Sequence, residues 1–168
     1  LSAATADEGS ASSTSASEPA VAGPYAPGGF AAIVAQLDRK LGYKPKVLQV
    51  VLSADYAQFQ VQDARKPKNV DQYEWRDGQI GDPIPVKLIG DGDLAANVFP
   101  LASLAPTGPR RLKAAGEALS IDGAAVSTMI AKRNLPFAAD VTWFVNVSGT
   151  REDKQLRANA AGKVLKVV

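Results

Sequence analysis

The sequence predicts an α+β protein made of two tandem units, each a helix followed by an antiparallel sheet, forming one domain with a curved, partly open sheet. Apolar residues at helical spacing begin after a Ser/Ala-rich start, and alternating segments typical of half-exposed antiparallel strands follow them. The same order of elements then occurs a second time. A length of 168 residues with a hydrophobic fraction of 46% is enough for one packed core.

The predicted boundaries are a Ser/Ala-rich tether over 1–28, a first unit over 29–103 and a second unit over 104–168. Residues 1–24 are rich in Ser, Ala, Thr, Glu and Gly and contain no aromatic residue. Such a segment buries too little apolar surface to offset the entropy of ordering its backbone, so we expect a disordered, flexible tether. The alternative is a tail without a particular role.

The first residues, Leu1-Ser2-Ala3-Ala4, are similar to the end of a cleaved signal peptide or to a lipoprotein cleavage point. The alternative is an arbitrary boundary of the chain. No apolar run approaches the roughly 20 residues that a membrane-spanning helix needs. We therefore expect a periplasmic or extracellular protein whose membrane contact, if any, is a lipid anchor upstream of Leu1.

In the first unit, the apolar stripe that starts at Phe30 predicts a helix that Gly42 ends. Strands are predicted over 46–53, 55–63 and 70–76, and Asp77-Gly78 favours a hairpin turn after the third. A fourth strand over 79–89 contains Pro83 and Pro85, so its first half is expected at an edge or a bulge.

In the second unit, a helix is predicted over 104–119, although Pro106, Gly108 and Pro109 favour a regular start only near Pro109. Strands follow over 125–133, 139–148 and 153–159, and Gly162 turns the chain into a last strand over 163–168. The separations of Phe30 from Leu104 and of Gly78 from Gly162 are similar, while few residues are identical between the two units. The two units therefore share the order and spacing of their elements and not their amino-acid sequence.

The closing segment 157–167, with Ala161-Gly-Lys-Val-Leu165 at its centre, resembles the hairpin of PepSY-type domains, and Arg76-Asp-Gly-Gln-Ile80 is its counterpart in the first unit. The tandem arrangement over about 29–168 is similar in plan to β-lactamase-inhibitor-protein-like folds. This resemblance implies a bacterial envelope or secreted protein that binds other proteins, often restraining an enzyme, through an open sheet face. It supplies no catalytic residues.

Composition removes several classes of chemistry. The chain contains no His and no Cys, which excludes Cys/His zinc sites, Cys nucleophiles and Ser-His-Asp triads. Because the chain has 19 basic and 17 acidic residues, its net charge does not favour a nucleic-acid partner. We expect no cofactor and no enzymatic activity.

Two groups of carboxylates are candidate sites. Gly90-Asp-Gly-Asp-Leu94 pairs two acidic residues as a calcium loop would, but an EF-hand needs further ligands, so a solvated turn is the better interpretation. Glu74, Asp77 and Asp82 lie on a strand and its turns among basic residues. Nothing in the pattern crowds or buries them, so surface charge is favoured over acid/base catalysis.

The candidate protein interface consists of aromatic residues on the strands and basic residues in a loop. Trp143 and Phe144 are adjacent and must point to opposite sides of their strand, so at least one leaves the helix-covered face. The alternative is that both fill a core, one on each side. The candidates are Tyr56, Tyr73, Trp75 and Phe144, with Arg65 and Lys68 in a loop suited to an acidic partner.

These expectations favour an exported protein-binding module, of the inhibitor or immunity type, that acts on an envelope or secreted protein. The alternative is a structural or assembly subunit of an envelope or extracellular complex, whose exposed strands pair with neighbouring subunits. Pro83 and Pro85 protect one edge against such pairing, whereas the C-terminal strand has no such guard. The oligomeric state stays open.

Overall fold

A computed structural model describes residues 22–90, 92–136 and 138–168, so the predicted tether falls largely outside the described residues. Within these residues, three α-helices and one 3-10 turn (Leu101–Ser103) accompany ten strands. The helices are α1 (Gly29–Leu41), α2 (Leu94–Asn97) and α3 (Gly108–Glu117). The strands are β1 (Lys46–Leu52), β2 (Tyr56–Gln62), β3 (Val70–Arg76), β4 (Gln79–Ile80), β5 (Ile84–Pro85), β6 (Phe99–Pro100), β7 (Ala125–Asn134), β8 (Ala138–Ser148), β9 (Asp153–Asn159) and β10 (Val164–Val167).

The protein is α+β and mostly sheet. One antiparallel sheet runs in the order β10-β9-β8-β7-β1-β2-β3-β4, with β5 beside β3 and β6 beside β1. The sheet is open, because β10 and β4 lie at its two ends. The two halves of the described chain, 22–103 and 104–168, meet where β1 pairs with β7, for example Val51 with Ile130.

One hydrophobic core lies between the helices and one face of the sheet. Alternation directs this packing: Ala57, Phe59 and Val61 of β2 are buried, and the Gln residues between them are half-buried. The core crosses the seam between the halves, because Phe30 of α1 contacts Trp143 of β8 edge to face, with 6.2 Å between ring centroids.

Two hairpins turn at the expected places. Asp77 and Gly78 both have positive φ, 54° and 84°, as a tight hairpin turn requires. Gly162, with φ 87°, turns β9 into β10, and a Cβ atom there would lie 3.0 Å from the Cα atom of Gly108. The close approach of two backbones at this point therefore requires glycine.

The bounds of α1 and of the long strands agree with the sequence-based predictions to within a residue or two, and α3 begins at Gly108, near the start expected at Pro109. The prediction of one continuous fourth strand over 79–89 was wrong. Only β4 and β5 form there, because Pro83 and Pro85 have no N–H to donate to a ladder. No sequence signal predicted α2 or β6, of which β6 pairs with the start of β1.

The tether boundary at residue 28 was also wrong. Tyr25 is buried, and its hydroxyl donates a hydrogen bond to the carbonyl oxygen of Leu52 at 3.0 Å. The folded part of the chain therefore includes residues before 29. A lone aromatic residue in a polar segment is a weak sequence signal, but its phenol finds both an apolar site and an acceptor here.

Candidate functional site

The second face of the sheet carries no helix among the described residues. Its side chains are half-buried or exposed, apart from Val70 and Phe144. Seven strands place one residue each in a row across this face, which we call the cross-strand row. Its members, from β3 to β10, are Glu74, Gln58, Val51, Ile130, Phe144, Arg157 and Lys166.

The chemistry of the cross-strand row changes from one end to the other. Val51 and Ile130 form a half-buried apolar centre directly over the β1–β7 seam. Glu74 lies at one end, whereas Arg157 and Lys166 lie at the other. With strands about 4.8 Å apart, the row spans on the order of 30 Å, which is within the reach of a protein interface.

Phe144 is the centre of a basic cluster, which consists of Phe144, Lys132, Arg157 and Lys166. The Lys132 Nζ atom lies 5.6 Å from the ring centroid and the Arg157 Cζ atom lies 5.4 Å from it. Phe144 is only 9% exposed, although none of the helices described above covers it. The aliphatic stems of long basic side chains cover a ring in this way while their charged ends stay in water.

A line of hydrogen bonds fixes the Arg157 side chain in this cluster. The Asn146 amide donates to the Thr128 hydroxyl at 2.8 Å, and the Gln155 amide donates to the Asn146 amide oxygen at 3.0 Å. Arg157 Nε then donates to the Gln155 side-chain oxygen at 3.3 Å. The terminal nitrogens of the guanidinium have no acceptor within the part of the chain that the structure describes, so they can bind another molecule.

The other half of the same face carries a smaller aromatic cluster. Arg76 lies over the Tyr56 ring, with 5.0 Å between Cζ and the ring centroid. Its guanidinium also contacts the Glu74 carboxylate at 2.9 Å, and this hydrogen bond raises the pKa of Arg76. The positive charge here is therefore balanced by a carboxylate on the same strand.

For one of the four aromatic candidates, Trp75, the prediction of an interface residue was wrong. Trp75 is 2% exposed and belongs to the core, because strand parity places it with Tyr73 on the helix-covered side. Tyr73 is half-buried against that core, and burial raises the pKa of its hydroxyl. Tyr56 and Phe144 lie on the open face, Phe144 beneath its two cations.

The loop between β2 and β3 carries the basic candidates, and Arg65 and Lys68 are both exposed. They line a cleft of about 510 Å³ with Lys66 and Asp63. The Asp63 carboxylate accepts the backbone N–H groups of Arg65 and Lys66 at 2.8 and 3.2 Å. These hydrogen bonds lower the pKa of Asp63, and the one from Arg65 has the largest effect. A general acid requires the opposite shift.

The calcium loop gains no support over 22–90, 92–136 and 138–168, where no group of three acidic residues stands close enough to hold a metal ion. Asp93 is the N-cap of α2, and its carboxylate accepts the Ala95 N–H at 3.0 Å. Asp91 lies outside the described residues. Asp93 therefore has a local structural role that explains its place in the turn.

Sequence analysis missed Lys132, Arg157 and Lys166 as members of a site. They come from three different strands, and only the pairing of β7, β8, β9 and β10 brings them together. Parity within β8 did place Phe144 opposite Trp143, as expected. No local pattern could reveal which cations would lie beside it.

No family model matches the chain, and no curated protein is similar to it. Its fold is similar to that of a protein of Clostridium difficile 630 whose crystal structure is described as that of a "putative lipoprotein". The two chains are 11% identical, with a TM-score of 0.52, and the match covers 83% of this chain and 91% of the other. No helix among the described residues is long and apolar enough to cross a membrane.

Proposed function

We propose that this protein is an exported binding module that contacts another protein through the open face of its sheet. The observation that carries the proposal is the cross-strand row: apolar side chains lie at its centre and charged or amide side chains surround them. Protein interfaces combine an apolar centre with a polar rim in this manner. An inhibitor or immunity-type role towards an envelope or secreted protein belongs to the same proposal.

Export is the second part of the proposal. It is supported by the similarity in fold to a protein described as a lipoprotein, and by the Ser/Ala-rich composition of residues 1–24. In this proposal the N-terminal segment links a membrane anchor to the folded part. The binding face then works at a distance from the membrane that the segment sets.

The tandem-unit interpretation fits the proposed face. In each half a helix precedes an antiparallel meander, and β1 and β7, the first strands of the two meanders, pair with one another. Pairing of equivalent strands joins two small sheets into one broad surface. Two PepSY-like units joined in this way would present a face wider than either unit alone.

A photo-cross-linking amino acid placed at Gln58 tests the proposed function in cells that produce the protein. Gln58 lies in the cross-strand row and is half-buried on the open face. We expect one discrete protein adduct, identified by mass spectrometry. The same amino acid at Arg111, exposed on α3, is the matched control. Equal labelling from both positions, or no adduct from Gln58, would overturn the proposal.

A second candidate function, an assembly subunit, is favoured by the edge strand β10. Leu165 and Val167 are 62% and 47% exposed there, and no strand among the described residues pairs with the outer edge of β10. Edges of this kind pair readily with other strands. Light scattering over a range of concentrations separates the two candidates, because a subunit that assembles through β10 would grow in mass and a binding module would stay monomeric.

A further inference from the structure

We infer that the basic cluster around Phe144 is the part of the open face that selects the partner, and that it selects an acidic protein segment with apolar residues beside its carboxylates. This inference rests on the proposed function and specifies its partner. The groups bound are the carboxylates of Asp or Glu side chains. The residues that bind them are Lys132, Arg157 and Lys166.

The positive charge of the basic cluster is uncompensated. Lys132, Arg157 and Lys166 form no ion pair with any residue that the structure describes, whereas Arg76 on the same face pairs with Glu74 at 2.9 Å. Like charges gathered on neighbouring strands repel one another. An acidic segment placed over them would remove this repulsion, so complementarity of charge favours that occupant.

The cations of the basic cluster are held in position before any partner binds. The Phe144 ring lies under both Lys132 and Arg157, and the Gln155 side chain holds Arg157 Nε. A planar guanidinium held at Nε presents its terminal N–H groups in the fork that a carboxylate accepts. Less side-chain entropy is then lost on binding than for free surface cations. The exposed loop cations Arg65 and Lys68 have no such platform.

The surroundings of the basic cluster indicate the length and the apolar content of the bound segment. Next to Phe144, the row continues into Ile130 and Val51, so apolar groups of the partner would bury against them. Along β9, Asp153 lies on the same face as Arg157, four residues or about 13 Å away. A long polyanion such as a nucleic acid would meet that carboxylate, whereas a short acidic segment would not.

The test uses the whole protein and a capped peptide rich in Glu and Leu, with a second peptide in which every Glu is replaced by Gln. We expect the Glu peptide to bind at low salt and to shift the backbone amide signals of β7, β8 and β9 in NMR spectra. The Gln peptide should bind at least about tenfold more weakly, because its side chains offer no charge to the cluster. Equal binding of both peptides would overturn the inference.

Matched double variants locate the site. Lys132→Gln with Arg157→Gln should weaken binding of the Glu peptide about tenfold or more, while Arg65→Gln with Lys68→Gln removes the same charge from the loop and should change it less than about twofold. Lys132→Arg keeps the charge and leaves the Arg157 guanidinium in place, so it should retain most of the affinity. Unchanged urea denaturation of the Lys132→Gln/Arg157→Gln variant separates recognition from a folding defect. Equal losses from the two Gln pairs would contradict the assignment.

Two further outcomes separate this inference from the proposed function. A Gln58 cross-link that persists in the Lys132→Gln/Arg157→Gln variant would overturn the acidic-segment inference and leave the binding module intact. Loss of the cross-link in that variant alone would support both.

A single-stranded oligonucleotide that displaces the Glu peptide at equal charge concentration would show a general anion site and overturn the choice of a protein segment.

Discussion

Trp143 and Phe144 are neighbours in one strand and have opposite surroundings. Trp143 is fully buried under α1, where its ring meets that of Phe30. Phe144 lies on the other side of the sheet, where two cations cover it. The same type of residue thus stabilises the core on one face and organises charge on the other. The face of the sheet on which a large aromatic residue lies must therefore be known before a role can be assigned to that residue.

The largest effect is expected from removing the buried ring. Trp143→Ala should lower the free energy of unfolding by about 3–5 kcal/mol, because the cavity lies in a closely packed core. Phe144→Leu keeps an apolar side chain and should cost less than about 1.5 kcal/mol. Urea denaturation of both variants measures the difference. Similar losses would mean that the two faces are equally important for stability.

A second way to test the close packing of the helix-covered face is Gly116→Ala in α3. A Cβ atom at this position would lie 2.5 Å from Val126 Cγ2 and 3.1 Å from Val147 Cγ2. Overpacking costs about 1–3 kcal/mol, which exceeds the gain of up to about 1 kcal/mol in helix propensity. We expect a lower melting temperature, with Arg111→Ala on the exposed side as control. A higher melting temperature would show that α3 can shift away from the sheet.

Tyr25 at the edge of the core gives a pH-dependent effect. Burial, followed by the proximity of Tyr56, raises the pKa of its phenol in the folded state. Folding therefore favours the neutral phenol. Its contribution to the free energy of unfolding is complete below about pH 10, the pKa of an unfolded tyrosine, and is lost as the pH rises above that pKa. Tyr25→Phe should cost about 1 kcal/mol at neutral pH through the lost hydrogen bond to Leu52.

Above about pH 10, the wild type should lose more stability per pH unit than Tyr25→Phe. Denaturation curves at several alkaline pH values measure this slope. Tyr73→Phe is the matched control, since Tyr73 also has a raised pKa but is more exposed. Parallel slopes for wild type and Tyr25→Phe would contradict the role assigned to the buried phenol.

The smallest effect concerns the balanced cluster at the other end of the open face. Glu74→Gln leaves Arg76 over Tyr56 without its carboxylate. Exposed ion pairs contribute about 0–1 kcal/mol, so the melting temperature should hardly change. Affinity for the Glu peptide should rise about twofold, because a further uncompensated cation, Arg76, appears on the face. An unchanged affinity would confine anion binding to the cluster around Phe144.

Much of the fold could be predicted because its signals are local. The alternation of Ala57, Phe59 and Val61 with Gln residues fixes β2, and the stripe from Phe30 to Leu41 fixes α1. The pairing of β1 with β7 had no such signal, since it joins residues far apart in the chain. Trp75 was misplaced for the same reason: its strand was found, but the side of that strand facing the helices was not.

The candidate site was less predictable than the fold. Parity separated Phe144 from Trp143, but the cations beside Phe144 come from β7 and β9 and are not adjacent in sequence. The Arg65–Lys68 cluster stood out in the sequence because its charges are consecutive, yet its residues lie in an exposed loop. Charge density along the chain is therefore a poor guide to charge density on a sheet face.

The Tyr25 hydroxyl lies 3.0 Å from the carbonyl oxygen of Leu52 on β1 and 3.4 Å from that of Ser127 on β7. One side chain thus spans the junction of the two halves. Within the first half, β6 pairs only with the start of β1, and residues 50–52 of β1 find their second partner only when β7 is available. During synthesis, the N-terminal half leaves the ribosome with this part of β1 as an unpaired edge. Folding should therefore wait for most of the chain, and the nascent first half is the stage at which a chaperone would be needed.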